Sequence, residues 1–155
     1  MLVHSNILSR LDYCNVLLAG SCSSLINKLQ RVLNAAVRFI YNLKVHHPVT
    51  QYVKQCHFLP IKQRINFKSC LIIYKIMNNM APDYLKDFVA PVVHYRDNLR
   101  SSMDCLAIQL PQNNKSVLYH MIQNWNLLPF RIREALTVQS FKSMLKTYYF
   151  EQAYN

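Results

Sequence analysis

A single glycine, Gly20, stands in a chain of 155 residues. Two-residue hairpin turns and phosphate-cradling loops consume glycine, because their backbones enter a left-handed region that side chains resist. One glycine therefore points away from tightly turned sheets, from P-loops and from dinucleotide-binding crossovers. It points to helices. A strained Gly-x-Ser-x-Gly nucleophile turn has no material either, although serine, histidine and aspartate are all present. Hydrophobic residues make up 52% of the chain, enough at this length for one domain with a core.

Apolar periodicity predicts where the helices run. Leu2, Ile7, Leu8, Leu11, Val16 and Leu18 suggest a first helix over Leu2 to Leu18, stopped at Gly20. Ser21, Ser23 and Ser24 offer N-caps for a second, reaching Tyr41, with Leu25, Leu29, Val32, Leu33, Ala36 and Ile40 on one face. Pro48 and Pro60 each suit a first helical position, giving helices near Pro48 to Cys56 and Pro60 to Asn79. The latter is apolar on most of its circumference, as befits the centre of a bundle. Pro82 starts a short helix through Phe88, and Ala90 to Ser102 reads as an aperiodic connector. Cys105 to Leu110, a turn at Pro111 to Asn114 and Ser116 to Tyr119 leave room for a small β-hairpin. Pro129 opens a short turn, and Thr137 caps a last helix that buries Phe141, Met144, Leu145 and Tyr148 with Lys142 and Lys146 outside. The organisation expected is one domain: a helical core over 1–90, a connector over 91–118 and C-terminal helices over 119–155 packing on that core.

Charge narrows the partner. Lys plus Arg number 18 against 7 Asp plus Glu, a formal net charge of +11, which attracts polyanions before any specific contact forms. Nucleic acid is the leading partner class, set against a merely soluble basic surface. Lys28, Arg31 and Arg38 fall within about a quarter turn at about 100° per residue, and Arg64, Lys68 and Lys75 form a narrow line on the central helix. These six are the candidate phosphate contacts; the alternative for each row is a solvated face. Most of the ten tyrosines and seven phenylalanines sit at core spacing, leaving Tyr95, Tyr148 and Tyr149 as candidates for stacking on bases. Trp125, before a helix break, reads as a core anchor.

Other chemistries find little material. Asp12 lies beside Arg10 inside a predicted helix, where a local ion pair or cap is the expected role. Cys56-His57 and His46-His47 lack a second ligand pair at zinc spacing, so no metal is expected. Five cysteines, an odd count without CxxC spacing or a secretory leader, read as reduced intracellular thiols. Lys75 and Lys86 interrupt the longest apolar stretches, so no membrane span is expected and the chain is assigned to the nucleus or cytoplasm.

The order of several short blocks adds a resemblance. These are Ser9-Arg10-Leu11-Asp12-Tyr13-Cys14-Asn15, Lys28-Leu29-Gln30-Arg31-Val32 with Asn34-Ala35-Ala36, and His57-Phe58-Leu59-Pro60-Ile61 with Arg64-Ile65. They continue through Tyr74-Lys75, Ala81-Pro82-Asp83-Tyr84-Leu85, Leu99-Arg100-Ser101-Ser102, Trp125-Asn126-Leu127-Leu128-Pro129 and Ser140-Phe141-Lys142-Ser143-Met144-Leu145-Lys146. Together they resemble the region after the catalytic palm in LINE-type (non-LTR) retrotransposon reverse transcriptases of the jockey and chicken-repeat groups. Between Gln112 and Asn124 the chain departs from that pattern, being shorter there than the family usually is. The resemblance implies a mainly α, orthogonal helical bundle like a polymerase thumb, which grips template and primer behind the active site. It also implies that the paired aspartates holding two Mg²⁺ ions in the parent enzymes lie before the Ser9 block, where this chain has eight residues. Asp12, Asp83, Asp87, Asp97 and Asp104 include no adjacent pair. The expectation is a chain without polymerase chemistry or cofactor of its own, which holds RNA, DNA or a hybrid and packs against a palm.

Overall fold

The computed structural model describes residues 3–91 and 106–154, and they form a mainly helical fold. A turn of π-helix (His4–Leu8) leads into α1 (Ser9–Asp12) and a 3-10 turn (Asn15–Leu18). Then come α2 (Ser23–Tyr41), α3 (Thr50–Gln55), α4 (Ile61–Met77) and a second 3-10 turn (Asp83–Phe88). Beyond the connector lie α5 (Val117–Asn126), α6 (Phe130–Arg133) and α7 (Val138–Tyr154).

Helix α4 is the hub, packed against α2, α5, α7 and both 3-10 turns. It buries Ile61, Ile65, Ser69, Cys70, Ile73, Tyr74 and Ile76, so its apolar circumference is covered from several sides. Tyr74 stacks on Phe141 of α7 with ring centroids 4.1 Å apart, and its hydroxyl donates to the Ala135 carbonyl at 2.7 Å. Cys70 meets the Tyr149 hydroxyl at 3.4 Å, which runs α7 antiparallel to α4. One hydrophobic cluster extends from Leu8 to Tyr149, so the C-terminal helices share the core of the N-terminal ones.

The predicted first helix is not continuous. Tyr13 is extended, Cys14 adopts a left-handed φ of 48° and the chain restarts as the 3-10 turn. A straight helix spreads Leu8, Leu11, Val16 and Leu18 over nearly half its circumference at about 100° per residue. The break lets all four join the core and takes Asn15 inside. Leu18 and Ser21 then close a turn, Ser21 N–H to Leu18 carbonyl at 3.0 Å, with Ala19 at φ −61°, ψ 124° and Gly20 at φ 81°. This is a type II turn, whose third residue requires a positive φ. A Cβ on Gly20 would run into the His120 ring as well.

Left-handed helix ends elsewhere fall to other residues. Asn42, His57 and Asn79 have φ of 50°, 53° and 56°, and each sits one residue before an amide that bonds back five residues. The bonds are Leu43 to Arg38 at 2.9 Å, Phe58 to Val53 at 3.1 Å and Met80 to Lys75 at 2.8 Å, the Schellman pattern that stops a helix. Cys22, not a serine, precedes α2, and its side chain makes no cap bond, because Ser23 and Ser24 already belong to the first turn. Thr137 does cap α7, accepting from Ser140 N–H at 3.1 Å.

The hairpin after residue 104 is overturned in the part that is described. Ser116 to Tyr119, offered as its second arm, begins α5, with the Ser116 hydroxyl accepting from Tyr119 N–H at 3.1 Å. That cap makes the segment helical despite its β-branched valine. In place of a hairpin, Pro91 and Ile108 form one isolated antiparallel bridge. Trp125 Nε1 donates to the Leu106 carbonyl at 2.8 Å, and the Asn126 amide both accepts from Ile108 N–H at 3.0 Å and donates to its carbonyl at 2.8 Å. Asn126 thus does for Ile108 what a neighbouring strand would do. Most of the connector, with Tyr95, Cys105 and the Leu99 to Ser102 block, lies outside the described residues.

Candidate nucleic-acid interface

The line of cations on α4 is oriented by two contacts from the N-terminal third. Gln30 of α2 presents its side-chain carbonyl to Ile61 N–H at 2.9 Å, satisfying one of the amides that a helix start leaves open. Arg64 forks onto Asp12, Nε to Oδ1 at 2.9 Å and Nη2 to Oδ2. Asp12 also accepts from Asn15 Nδ2 at 3.3 Å. The expected local role of Asp12 beside Arg10 is therefore corrected: the break after Tyr13 turns the carboxylate towards α4. With side chains only 16% and 23% exposed, the pair is shielded enough to hold its geometry, and the guanidinium donors of Arg64 that face Asp12 are occupied.

Arg64 and Lys68 border a pocket of about 420 Å³. Leu8 and Asp12 come from the N-terminal segment, Cys56 to Leu59 from the loop before α4, Phe67 from α4 and Lys146 from α7. The loop is fastened by α7: Tyr154 Oη donates to the Phe58 carbonyl at 2.7 Å, and the His57 and Phe150 rings lie 5.7 Å apart. Among the described residues no carboxylate pairs with Lys68 or Lys146, so the Asp12–Arg64 pair leaves two uncompensated ammonium groups here. The sequence placed Lys146 on an outer helix face and set His57 aside with the metal question. Nothing local indicated that the antiparallel packing of α7 brings Lys146 to the same opening as Lys68.

The α2 row points elsewhere. Lys28 and Arg31 are exposed, while Arg38 is half-buried and lines a shallow hollow with Ala35, Phe39, Asn42, Leu43 and Val45. Its Nε is buried without a hydrogen-bond partner. Lys75, half-buried, stands near the far end of α4, and its carbonyl closes the helix end at Met80. The six cations selected from the sequence thus divide between separate surfaces, and only Arg64 and Lys68 meet in one pocket.

Of the tyrosines set aside for base stacking, Tyr149 is removed, since it is buried against Cys70. Burial raises its hydroxyl pKa and pushes the Cys70 thiol up to about 12. Tyr154 rises to about 12, from burial first and then from Cys56. Tyr148 is half-buried and Tyr95 lies outside the described residues. Among the described residues no helix is long and apolar enough to cross a membrane. Comparison with protein-family models, with characterised proteins and with solved structures finds no match to the chain.

Proposed function

We propose that this chain is the thumb-like, post-palm part of a LINE-type reverse transcriptase, and that it holds the phosphate backbone of RNA, DNA or a hybrid without copying it. The observation that carries the binding half of the proposal is the meeting of Lys68 and Lys146 at one opening, uncompensated by acid, in a chain of net charge +11. The ordered blocks named above carry the origin, and a helical hub covered on several sides suits a gripping domain. Polymerisation belongs, in this reading, to a palm bearing paired metal-binding aspartates, with the present residues packing against it.

Binding of a labelled duplex should weaken steeply with salt, with a slope of about −0.9 per phosphate neutralised. Changing Lys28, Arg31, Lys68, Lys75 and Lys146 together to Gln should lower both the affinity and that slope, while Arg64 and Arg38 stay in place to spare the fold. Affinity that ignores salt, or survives the five substitutions, would sink the proposal. A second reading, a basic protein-interaction domain, is favoured by the exposed Tyr13, Leu17, Phe39 and Val45. It predicts no duplex binding at physiological salt and loss of a protein partner when Phe39 is changed to Ser.

A further inference from the structure

The pocket beside Lys68 joins charge to apolar surface in a way that a duplex backbone does not use. Leu8 and Leu59, both buried, line it together with the exposed Lys146. Its volume of about 420 Å³ falls in the range of roughly 300–1,000 Å³ found for small-molecule sites. A duplex presents its phosphates on a convex cylinder, so it reaches the rim and leaves the apolar interior wet. A bare phosphate does the same. The ligand that uses both halves carries one phosphate and one flat apolar group.

We infer that the pocket binds a nucleoside monophosphate unit, with the phosphate held by Lys68 and Lys146 and the base lying against Phe58 and Phe67. Two ammonium groups match one phosphate dianion. Among the described lining residues, further phosphates meet no other lysine or arginine than Arg64, which Asp12 already engages, and only the His57 ring beside it, and they face the Asp12 carboxylate. The site therefore prefers a monophosphate to a triphosphate, the reverse of what a diffuse basic surface does. The same unit comes from a free nucleotide or from the phosphorylated end of a strand, and for the latter source the inference rests on the nucleic-acid reading above.

The test is calorimetric titration of the full chain with adenosine monophosphate, adenosine triphosphate and inorganic phosphate. The monophosphate should bind at one saturable site, more tightly than either comparison ligand. Lys68→Gln with Lys146→Gln should weaken it by about tenfold or more, since each removes a charge-assisted contact. Lys44→Gln with Lys115→Gln, both exposed and away from the pocket, should leave it unchanged, and Phe67→Leu should lower monophosphate but not phosphate binding. A short 5′-phosphorylated strand that displaces the monophosphate identifies a strand end as occupant; failure to displace it identifies a free nucleotide. Binding that follows ligand charge, with the triphosphate tightest, overturns the inference, as does indifference to the Lys68 and Lys146 pair. Duplex binding without monophosphate binding sinks the pocket alone. Monophosphate binding without any nucleic-acid binding sinks the earlier reading and leaves the pocket standing.

Discussion

Gly20 and Cys14 occupy left-handed backbone within one short stretch, and their side chains give them opposite prospects. At Gly20 the positive φ and the overlying His120 ring both exclude a Cβ. Gly20→Ala should cost about 1–3 kcal/mol, combining left-handed strain with displacement of that ring. Cys14 is exposed, so Cys14→Gly relieves strain and loses no packing; a gain of several tenths to about 1 kcal/mol is expected. Urea unfolding of the two variants checks both signs, and a Cys14→Gly variant less stable than the parent would contradict the account of the break. Cys70 supplies a pH dependence. Burial raises its thiol from 9.0 to about 12, so the folded state keeps the proton that the unfolded chain releases. Stability from this group is complete below pH 9 and falls as pH rises towards 12. Tyr149 and Tyr154 shift in the same direction and deepen the loss above their ordinary value of 10.0. Melting temperatures recorded up the alkaline range should therefore decline, and Cys70→Ala, though less stable at neutral pH, should decline less steeply.

At the level of elements, a few polar side chains tie distant segments together. Asp12 reaches Arg64, Gln30 caps α4 at Ile61, Tyr74 reaches Ala135, and Trp125 and Asn126 hold Leu106 and Ile108. Polar side chains that bond to another element's backbone cannot be exchanged freely, because the buried amide or carbonyl left behind has no replacement partner. Asn126 is the sharpest case. It satisfies both backbone groups of Ile108, which is 1% exposed. Asn126→Ala should cost about 2–3 kcal/mol, two lost bonds at a buried site, and should release the Leu106–Leu110 segment before the helices unfold. Amide exchange reads this directly: faster exchange at Ile108 with unchanged protection in α4 is the expected pattern, and uniform loss of protection would point to a general packing defect instead.

Over the whole molecule, two features set the behaviour. The larger core cluster links Leu8 to Tyr149, with α7 contributing Phe141, Leu145 and Tyr149 to the surroundings of α4, beside a smaller cluster of Val37, Val49 and Val53, so the N- and C-terminal helices are expected to melt as a unit. The charge imbalance works against that unit. Among the described residues Arg64–Asp12 and the exposed Lys86–Asp83 form ion pairs, while the sequence carries 18 basic side chains against 7 acidic ones. Like charges on a compact body repel, and salt screens them. The melting temperature should rise between about 0.01 M and 0.15 M salt, over which the Debye length falls from about 30 Å to about 8 Å. Nucleic-acid affinity should fall over the same interval, so salt moves stability and binding in opposite directions. A melting temperature that drops with added salt would mean that net attraction, not repulsion, dominates the surface.

Residue order alone settles what is local. The lone glycine, the prolines at Pro60 and Pro129 and the apolar spacing led to helices, located α2, α4 and α7 to within a few residues, and picked α4 as the hub. Periodicity states which face of a helix turns inward, and capping residues state where it stops. Neither states which element covers that face. The break at Cys14, the pairing of Asp12 with an arginine 52 residues away, the Asn126 clamp in place of a hairpin and the arrival of Lys146 beside Lys68 all depend on distant segments meeting. They emerge with the folded chain, because their energies come from contacts that do not exist until the core has closed.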